Sequence, residues 1–345
     1  MKKHTEIRFE EAIETFLTEE GGYYKGDPKV YDKSKGLFRD DVIEFIIDTQ
    51  PTNWKYVSEY NGEKTKESLL NSLNAEINVK GSLFVLRNGF KFFGRTFRMA
   101  YFKPNTSLNI VAQEEYNKNK LKIYRQVHYS DRNPNMALDI VLALNGIPVA
   151  TLELKNQLSG QTVFDARKQY QNDRDPKELI FQFKKRTLVH FAVDTDEVYM
   201  TTKLAGKETF FLPFNKGFNN GAGNPPQENN YKTAYLWEEI LTKDSFMDII
   251  GRYLHLEKSE TKIFSEKGVE KKSKETLIFP RYHQLDVVRK LITSAKSRGA
   301  GHNYLVQHSA GSGKSNSIAW LTYRLSSLHD EMDEKIFHSV IVITD

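Results

Sequence analysis

Apolar positions near the start of the chain recur at helical spacing. In "IRFEEAIETFLTE" (7–19), Phe9, Ala12, Ile13, Phe16 and Leu17 fall on one face, and Gly21–Gly22 end the run. This pattern predicts an amphipathic helix. Further on, the period shortens to that of strands. The stretch 80–102, "KGSLFVLRNGFKFFGRTFRMAYF", predicts a short hairpin turning at Asn88–Gly89, and "KLKIYRQVHYS" (120–130) alternates like a strand. The sharpest signal is "LDIVLALNGIPVATLELK" (138–155), in which two apolar runs flank Asn145–Gly146 as in a β-hairpin. A helix is predicted over 162–172, then β-rich "RTLVHFAV" and "EVYMTTKL". Helix, strands, hairpin, helix and strand in this order predict a mixed α/β core.

Polar stretches divide the chain. Residues 215–230, "NKGFNNGAGNPPQENN", are a loop by their Gly, Asn and Pro content. Residues 257–275, "EKSETKIFSEKGVEKKSKE", carry dense charge of both signs and read as a linker. The expected organisation is a domain over 1–256, a charged linker over 257–276 and a second domain beginning at 277. A length of 345 residues suits two domains, and no internal repeat is visible.

Composition adds exclusions. With 39% hydrophobic and 28% charged residues, the chain is of the soluble globular kind. It has no cysteine, which removes disulfides, thiolate zinc sites and Cys nucleophiles, and suits a reducing cytosol. The nine histidines show no metal spacing. No secretory h-region or membrane-length apolar run occurs. A net charge of +5 permits contact with a polyanion without requiring it.

Two stretches carry candidate chemistry. In "NYLVQHSAGSGKSNSIAWLTYRL" (303–325), a predicted strand enters a glycine-rich turn and a helix follows. Backbone N–H groups of Gly311, Ser312 and Gly313 would cradle phosphates at the helix start. Lys314 would reach the β/γ-phosphates of ATP and Ser315 would ligate Mg²⁺. The fuller pattern wants glycine where His308 stands. Upstream, Gln284 in "FPRYHQLDVVRKL" sits where a helicase-type motor reads the adenine edge; an exposed Gln on an amphipathic helix is the plainer alternative.

The hairpin supplies the second stretch. Asp139 lies in its first strand, Glu153 and Lys155 in its second. Two converging carboxylates form a hard oxygen site for Mg²⁺, and a lysine beside them can orient or deprotonate the attacking water of phosphodiester hydrolysis. Charged residues on a strand's solvent face are the ordinary alternative. Parity tests the idea. A plain two-residue turn makes every cross-strand pair sum to 291, which sets Asp139 opposite Leu152 and away from Glu153. The carboxylates meet only if an odd-count loop or bulge shifts the register.

These residues together resemble the motor-and-cleavage (R) subunit of type I restriction endonucleases. "LDIVLALNGIPVATLELKN" looks like that family's PD-(D/E)xK nuclease motif, with Asp139, Glu153 and Lys155 on its catalytic positions. "FEEAIETFL" is similar to its N-terminal helix and makes Glu10 the matching acid. "LVQHSAGSGKS", His308 included, looks like helicase motif I, and "VIVITD" (340–345) like the start of motif Ia. Some members carry Q-x-x-x-Y after the lysine; here Gln169 is present, but Asp173 stands four residues on, and Tyr170 lies next door.

The resemblance implies a PD-(D/E)xK-type nuclease core, a mixed sheet flanked by helices, followed by the truncated start of a RecA-like superfamily 2 motor domain. It implies Mg²⁺ and ATP as cofactors and cleavage of double-stranded DNA after ATP-driven translocation. Modification and specificity subunits would be partners, in a bacterial or archaeal cytoplasm. Because motor hydrolysis needs groups beyond those present, little ATP turnover is expected from this segment itself. A non-catalytic docking scaffold and a P-loop small-molecule kinase are the alternatives. Arg167, Lys168, Lys184, Lys185 and Arg186 are candidate phosphate contacts or solvated surface.

Overall fold

The computed structural model describes residues 2–343 apart from 107, 266, 267 and 331. It divides into two compact units, one of residues 1–101 and 118–279, the other of residues 102–117 and 280–345.

In the first unit, α1 (Lys2–Glu19) leads to β1 (Tyr24–Lys25) and a small ribbon of β2 (Tyr31–Asp32) and β3 (Leu37–Phe38). Four helices follow, α2 (Arg39–Thr49), α3 (Pro51–Asn61), α4 (Thr65–Lys80) and α5 (Ser82–Asn88). A second ribbon, β4 (Phe90–Phe92) with β5 (Arg95–Phe97), completes that stretch. Asn88–Gly89 therefore does not turn a hairpin. Gly89 ends α5 with φ +73, its N–H donating to Val85 O (2.7 Å), and the hairpin turns one ribbon later at Phe93–Gly94. Leu83, Val85 and Leu86 spread around a helix that the aromatic-rich composition had made look like a strand.

A seven-stranded mixed sheet forms the centre of the unit. After α6 (Ile110–Asn117), which belongs to the other unit, come β6 (Leu121–His128), β7 (Ala137–Leu144) and β8 (Ile147–Leu154). Helix α7 (Val163–Asn172) crosses to β9 (Val189–Val193), with β10 (Val198–Thr201) and β11 (Leu212–Pro213) beyond. The spatial order is β1-β6-β7-β8-β9-β10-β11. The β8/β9 pair is parallel, as its helical crossover requires, and β7 runs antiparallel to both β6 and β8. All eight residues of β8 are buried, so this strand has no solvent face. Phe9, Ile13 and Leu17 of α1 are fully buried, the stripe their spacing predicts.

The β7–β8 turn has two residues, Asn145 (φ +50) and Gly146 (φ +84), both in the left-handed region that a tight hairpin favours. Leu144 and Ile147 pair, as do Ala143 and Pro148; beyond that the register shifts, so Leu142 meets Ala150 and Ile140 meets Leu152. Val149 is the extra residue. Pro148 has no N–H to give the ladder, which is why the bulge falls there, and Val149 O instead accepts from Leu188 N (3.0 Å). Asn145 is buried with its side chain satisfied: Oδ1 accepts from Lys120 N (2.8 Å) and Nδ2 donates to Met99 O (2.9 Å).

Gly146 has no room for a side chain. A Cβ there would lie 2.6 Å from Phe38 O and 2.7 Å from Val42 N, both backbone atoms. Gly146→Ala is expected to cost about 2 kcal/mol or more through the positive φ and these clashes. Urea unfolding measures this; a loss under about 0.5 kcal/mol would mean that the turn relaxes freely.

Of residues 257–276, expected as a linker, 257–265 and 268–276 lie in an antiparallel ribbon of β12 (His255–Ser265) and β13 (Gly268–Ile278), which follows α8 (Lys243–Asp248), and 266–267 lie outside the described residues. Charge of both signs is compatible with a ribbon when opposite charges face one another. Lys258 pairs with Glu275 across it, Nζ to Oε1 at 3.3 Å. The ribbon is rooted by Leu277 and by Phe279, whose ring packs edge-on against Phe191.

In the second unit, α9 (Tyr282–Arg298) and α10 (Lys314–Leu325) pack together. The expected strand at 303–307 is absent among the described residues, and Leu305 is 93% exposed. A strand exists only by pairing, and no partner strand lies beside it there. Of the motif Ia resemblance, residues 340–343 form no strand, and 344–345 lie outside the described residues.

Candidate active site

The bulge decides the geometry of the acids. Past Val149, cross-strand pairs follow the odd count, and continuing from Ile140/Leu152 sets Asp139 opposite Glu153. The ladder ends at Ile140/Leu152, and beyond it the Asp139 side chain takes over: Oδ2 accepts from Leu154 N at 2.7 Å. Helix α1 adds Glu10, which is buried and bonded by Arg125 Nε (3.0 Å) and Gln126 Nε2 (2.8 Å). Gln126 Nε2 also donates to Asp139 Oδ1 (3.4 Å), so one amide joins the acid of the helix to the acid of β7.

Glu153 is fully buried. Its Oε1 accepts from Arg174 Nε (2.6 Å), and its Oε2 is buried with no hydrogen-bond partner. Arg174, just past the end of α7, is 3% exposed; it also donates to Ala137 O (2.7 Å) and Tyr129 Oη (3.3 Å). Burial, then the charge of Asp139, push the Glu153 carboxyl well above the usual range, with the Arg174 guanidinium pulling it back. Burial and Asp139 likewise push Glu10 up to about 7 against its bonds to Arg125 and Gln126. Repulsion among crowded carboxylates is what a cation relieves.

Lys155 lies just beyond the end of β8. Its ammonium is largely buried, 3.9 Å from Glu6 Oε1, and its charge favours ionised Glu153. Gln169 is half-buried on α7, and among the described residues no hydrogen bond joins its side chain to the acids. Tyr170 beside it turns inward: its Oη is 2.8 Å from Thr151 Oγ1, which is 2.7 Å from His190 Nδ1. Burial drives His190 down to about 3, so it is neutral. Thr151 and Glu153, two apart on β8, share a face, so this polar chain backs the acid.

Asp139, Glu153, Glu10 and Lys155 thus gather as their sequence positions suggest, while Gln169 does not join them. Arg174 and Gln126 were not foreseen. An Arg shortly after a helix and a Gln within a strand carry no local signal; only tertiary pairing reveals them. Among the described residues, no three imidazole or carboxylate groups form a ready-made cation cage. Of the five basic residues proposed to meet phosphates, Arg186 is fully buried, Lys184 pairs with Glu275, and Arg167 stacks over Tyr199 at 4.6 Å. Lys185 is half-buried, leaving Lys168 as the exposed one.

In the second unit, Gly311 (φ +72) and Gly313 (φ +82) bend the loop, and α10 begins at Lys314 with Lys314 and Ser315 exposed. Lys314 Nζ lies 3.4 Å from His308 O. Ser312 Oγ is buried without a partner. Gln284 is buried, not open to solvent: its Nε2 donates to Gly313 O (2.9 Å) and Ser312 O (3.2 Å), and its Oε1 accepts from Arg281 N (2.8 Å). In this arrangement Gln284 ties the glycine loop to α9.

Residues 10–209, more than half of the chain, match the family described as type I restriction enzyme R protein N terminus (HSDR_N). Two curated proteins of Methanocaldococcus jannaschii are similar. One, named as the type I restriction enzyme MjaVIIIP endonuclease subunit, is 23% identical over 292 residues, covering 82% of this chain and 26% of the relative. The other, named as the MjaIXP endonuclease subunit, is 25% identical over 165 residues, 46% of this chain and 16% of the relative. The chain therefore spans about a quarter or less of the length of these relatives. No solved structure matches it. On the family match across the sheet and its acid cluster, the chain belongs to the N-terminal family of type I restriction enzyme R proteins.

Proposed function

We propose that this chain carries the Mg²⁺-dependent nuclease of a type I restriction enzyme, hydrolysing phosphodiester bonds of double-stranded DNA, together with a phosphate loop for ATP. The observation that carries this reading is the bulge at Val149, which brings Asp139 into register with Glu153 beneath Glu10. The donor set fits a hard divalent cation: carboxylate oxygens, crowded charge, and a buried Glu153 Oε2 that lacks a partner. Asp139 and Glu153 would hold it, with water completing its shell. Bound there, the cation would neutralise charge developing on the scissile phosphate and acidify a water. Lys155 would orient that water or hold its proton, Glu10 would add negative charge at the rim, and Arg174 would fix the Glu153 side chain. Lys314, Ser315 and the backbone of 311–313 would take ATP phosphates.

DNA translocation by the whole protein, and assembly with modification and specificity subunits in a bacterial or archaeal cytoplasm, complete the proposal. No described helix is long and apolar enough to cross a membrane. One observation favours a second reading, a docking fold without catalysis: the Arg174 guanidinium already occupies Glu153 Oε1. Lys155→Ala in the full-length restriction complex separates the two. The nuclease reading expects cleavage to fall by about 10²–10⁴-fold with DNA-stimulated ATP hydrolysis retained. Unchanged cleavage would leave only the docking fold.

A further inference from the structure

Gln126 stands in the middle of β6 with φ +53, a left-handed conformation that a glutamine rarely adopts and that no glycine relieves here. The ladder around it is intact on both sides: Arg125 pairs with Ile140 and Val127 with Leu138. The strain is therefore local to this one residue, at the position facing Asp139. Holding a non-glycine residue this way costs about 1 kcal/mol or more and persists only where neighbouring structure fixes it.

Its side chain accounts for the placement. The residue is exposed, so its side chain is not held by a core. Nε2 reaches Glu10 Oε1 at 2.8 Å and Asp139 Oδ1 at 3.4 Å, donating to two acids that come from different elements and repel each other. No other side chain among the described residues is bonded to both. Arg125, next along the strand, bonds Glu10 and Glu14 instead.

We propose that Gln126 is a positioning residue of the nuclease site: its amide holds Glu10 and Asp139 together, and its left-handed backbone aims that amide between them. This rests on the cation-dependent reading above. The amide suits the task because it donates to carboxylates without titrating, so the acids stay aligned at any pH at which the fold survives.

Two substitutions separate the bridge from the strain. Gln126→Asn tolerates positive φ better but is one methylene too short to span both acids; Gln126→Gly removes the strain and the amide together. Mn²⁺ is titrated calorimetrically into the 345-residue chain, with Asp139→Asn as the blank, and thermal unfolding is followed in parallel. Both variants are expected to bind Mn²⁺ about 10- to 100-fold more weakly while melting no lower than the parent, as when a partner that orients a metal ligand is lost. Affinity within about twofold of the parent in both variants overturns the positioning role while the cation site stands. No Mn²⁺ heat above the blank in the parent overturns the cation reading, and the positioning role with it.

Discussion

Glu153→Ala is expected to destabilise the protein by about 3–5 kcal/mol and to abolish DNA cleavage, a double loss that no surface acid would produce. The stability loss comes from what stays behind. Arg174 is 3% exposed, and without Glu153 its guanidinium keeps, among the described residues, Ala137 O, Tyr129 Oη and Met136 Sδ as partners, none of them anionic. Arg174→Met is expected to cost less, because the Glu153 carboxyl, already pushed up by burial and Asp139, takes up a proton once the guanidinium is gone. The double variant Glu153→Leu/Arg174→Met removes both charges and should recover most of the loss, because an apolar pair of similar volume avoids desolvating two ions. Urea unfolding of the wild type, Glu153→Leu, Arg174→Met and the double variant gives the coupling, expected at about 2 kcal/mol or more. Additive losses would show that the two groups do not act as a pair. Cleavage should stay abolished in the double variant, which separates stability from chemistry.

The second large effect is on pH and divalent ions together. Glu10 titrates near 7 in the fold against an ordinary value of 4.5, chiefly because it is buried and then because Asp139 is near. A carboxyl raised in this way contributes stability that is complete below its unfolded value and is lost as pH climbs through its folded one. Metal-free protein should therefore weaken between roughly pH 5 and pH 8, with a slope approaching about 1.4 kcal/mol per pH unit for each such group. Glu153, shifted the same way, extends the loss toward the alkaline side. Glu10→Gln should flatten the lower part of the curve. Mg²⁺ binds deprotonated acids, so its stabilising effect should grow with pH, larger near pH 8 than near pH 6. Denaturant midpoints across pH, with EDTA and with Mg²⁺, measure both trends. A stability that rises over this range in EDTA would contradict the burial of Glu10.

How much of this was legible depended on whether a local pattern or a distant partner fixed each feature. The amphipathic stripe of α1 and the β7–β8 hairpin follow from spacing; Asp139 and Glu153 meet only if an odd-count loop or a bulge shifts the register, and the structure has the bulge. Pro148 marks its position, since a proline inside a central strand has no ladder bond to give. Helix α5 (82–88) was read as part of a hairpin because its Leu and Phe run resembles a strand, and the helices over 39–80 were not read from the sequence. The ribbon over 255–278 was missed because charge density reads as disorder until its cross-strand pairing is known. Arg174 and Gln126 were invisible for a simpler reason: their partners lie 21 and 116 residues away in sequence. The glycine-rich loop at 311–313 has its glycine bends, but the strand predicted before it has no neighbour to hydrogen-bond among the described residues.

Arg186, once a candidate for the surface, is fully buried, and burial moves its guanidinium down only to about 10, so it remains a cation at neutral pH. It donates to Lys35 O through Nε (2.8 Å) and to Asn78 Oδ1 through Nη1 (3.3 Å), and it reaches Asn74 on α4 as well. A single side chain entering β9 thus laces the loop before β3 to the helix at 65–80 with neutral oxygens alone. Peeling that N-terminal layer from the sheet would drown three sets of satisfied dipoles at once and hydrate an interior ion in the same event. Amide protons of α4 should accordingly exchange with solvent water only when the whole first unit opens, not by fraying of the layer on its own.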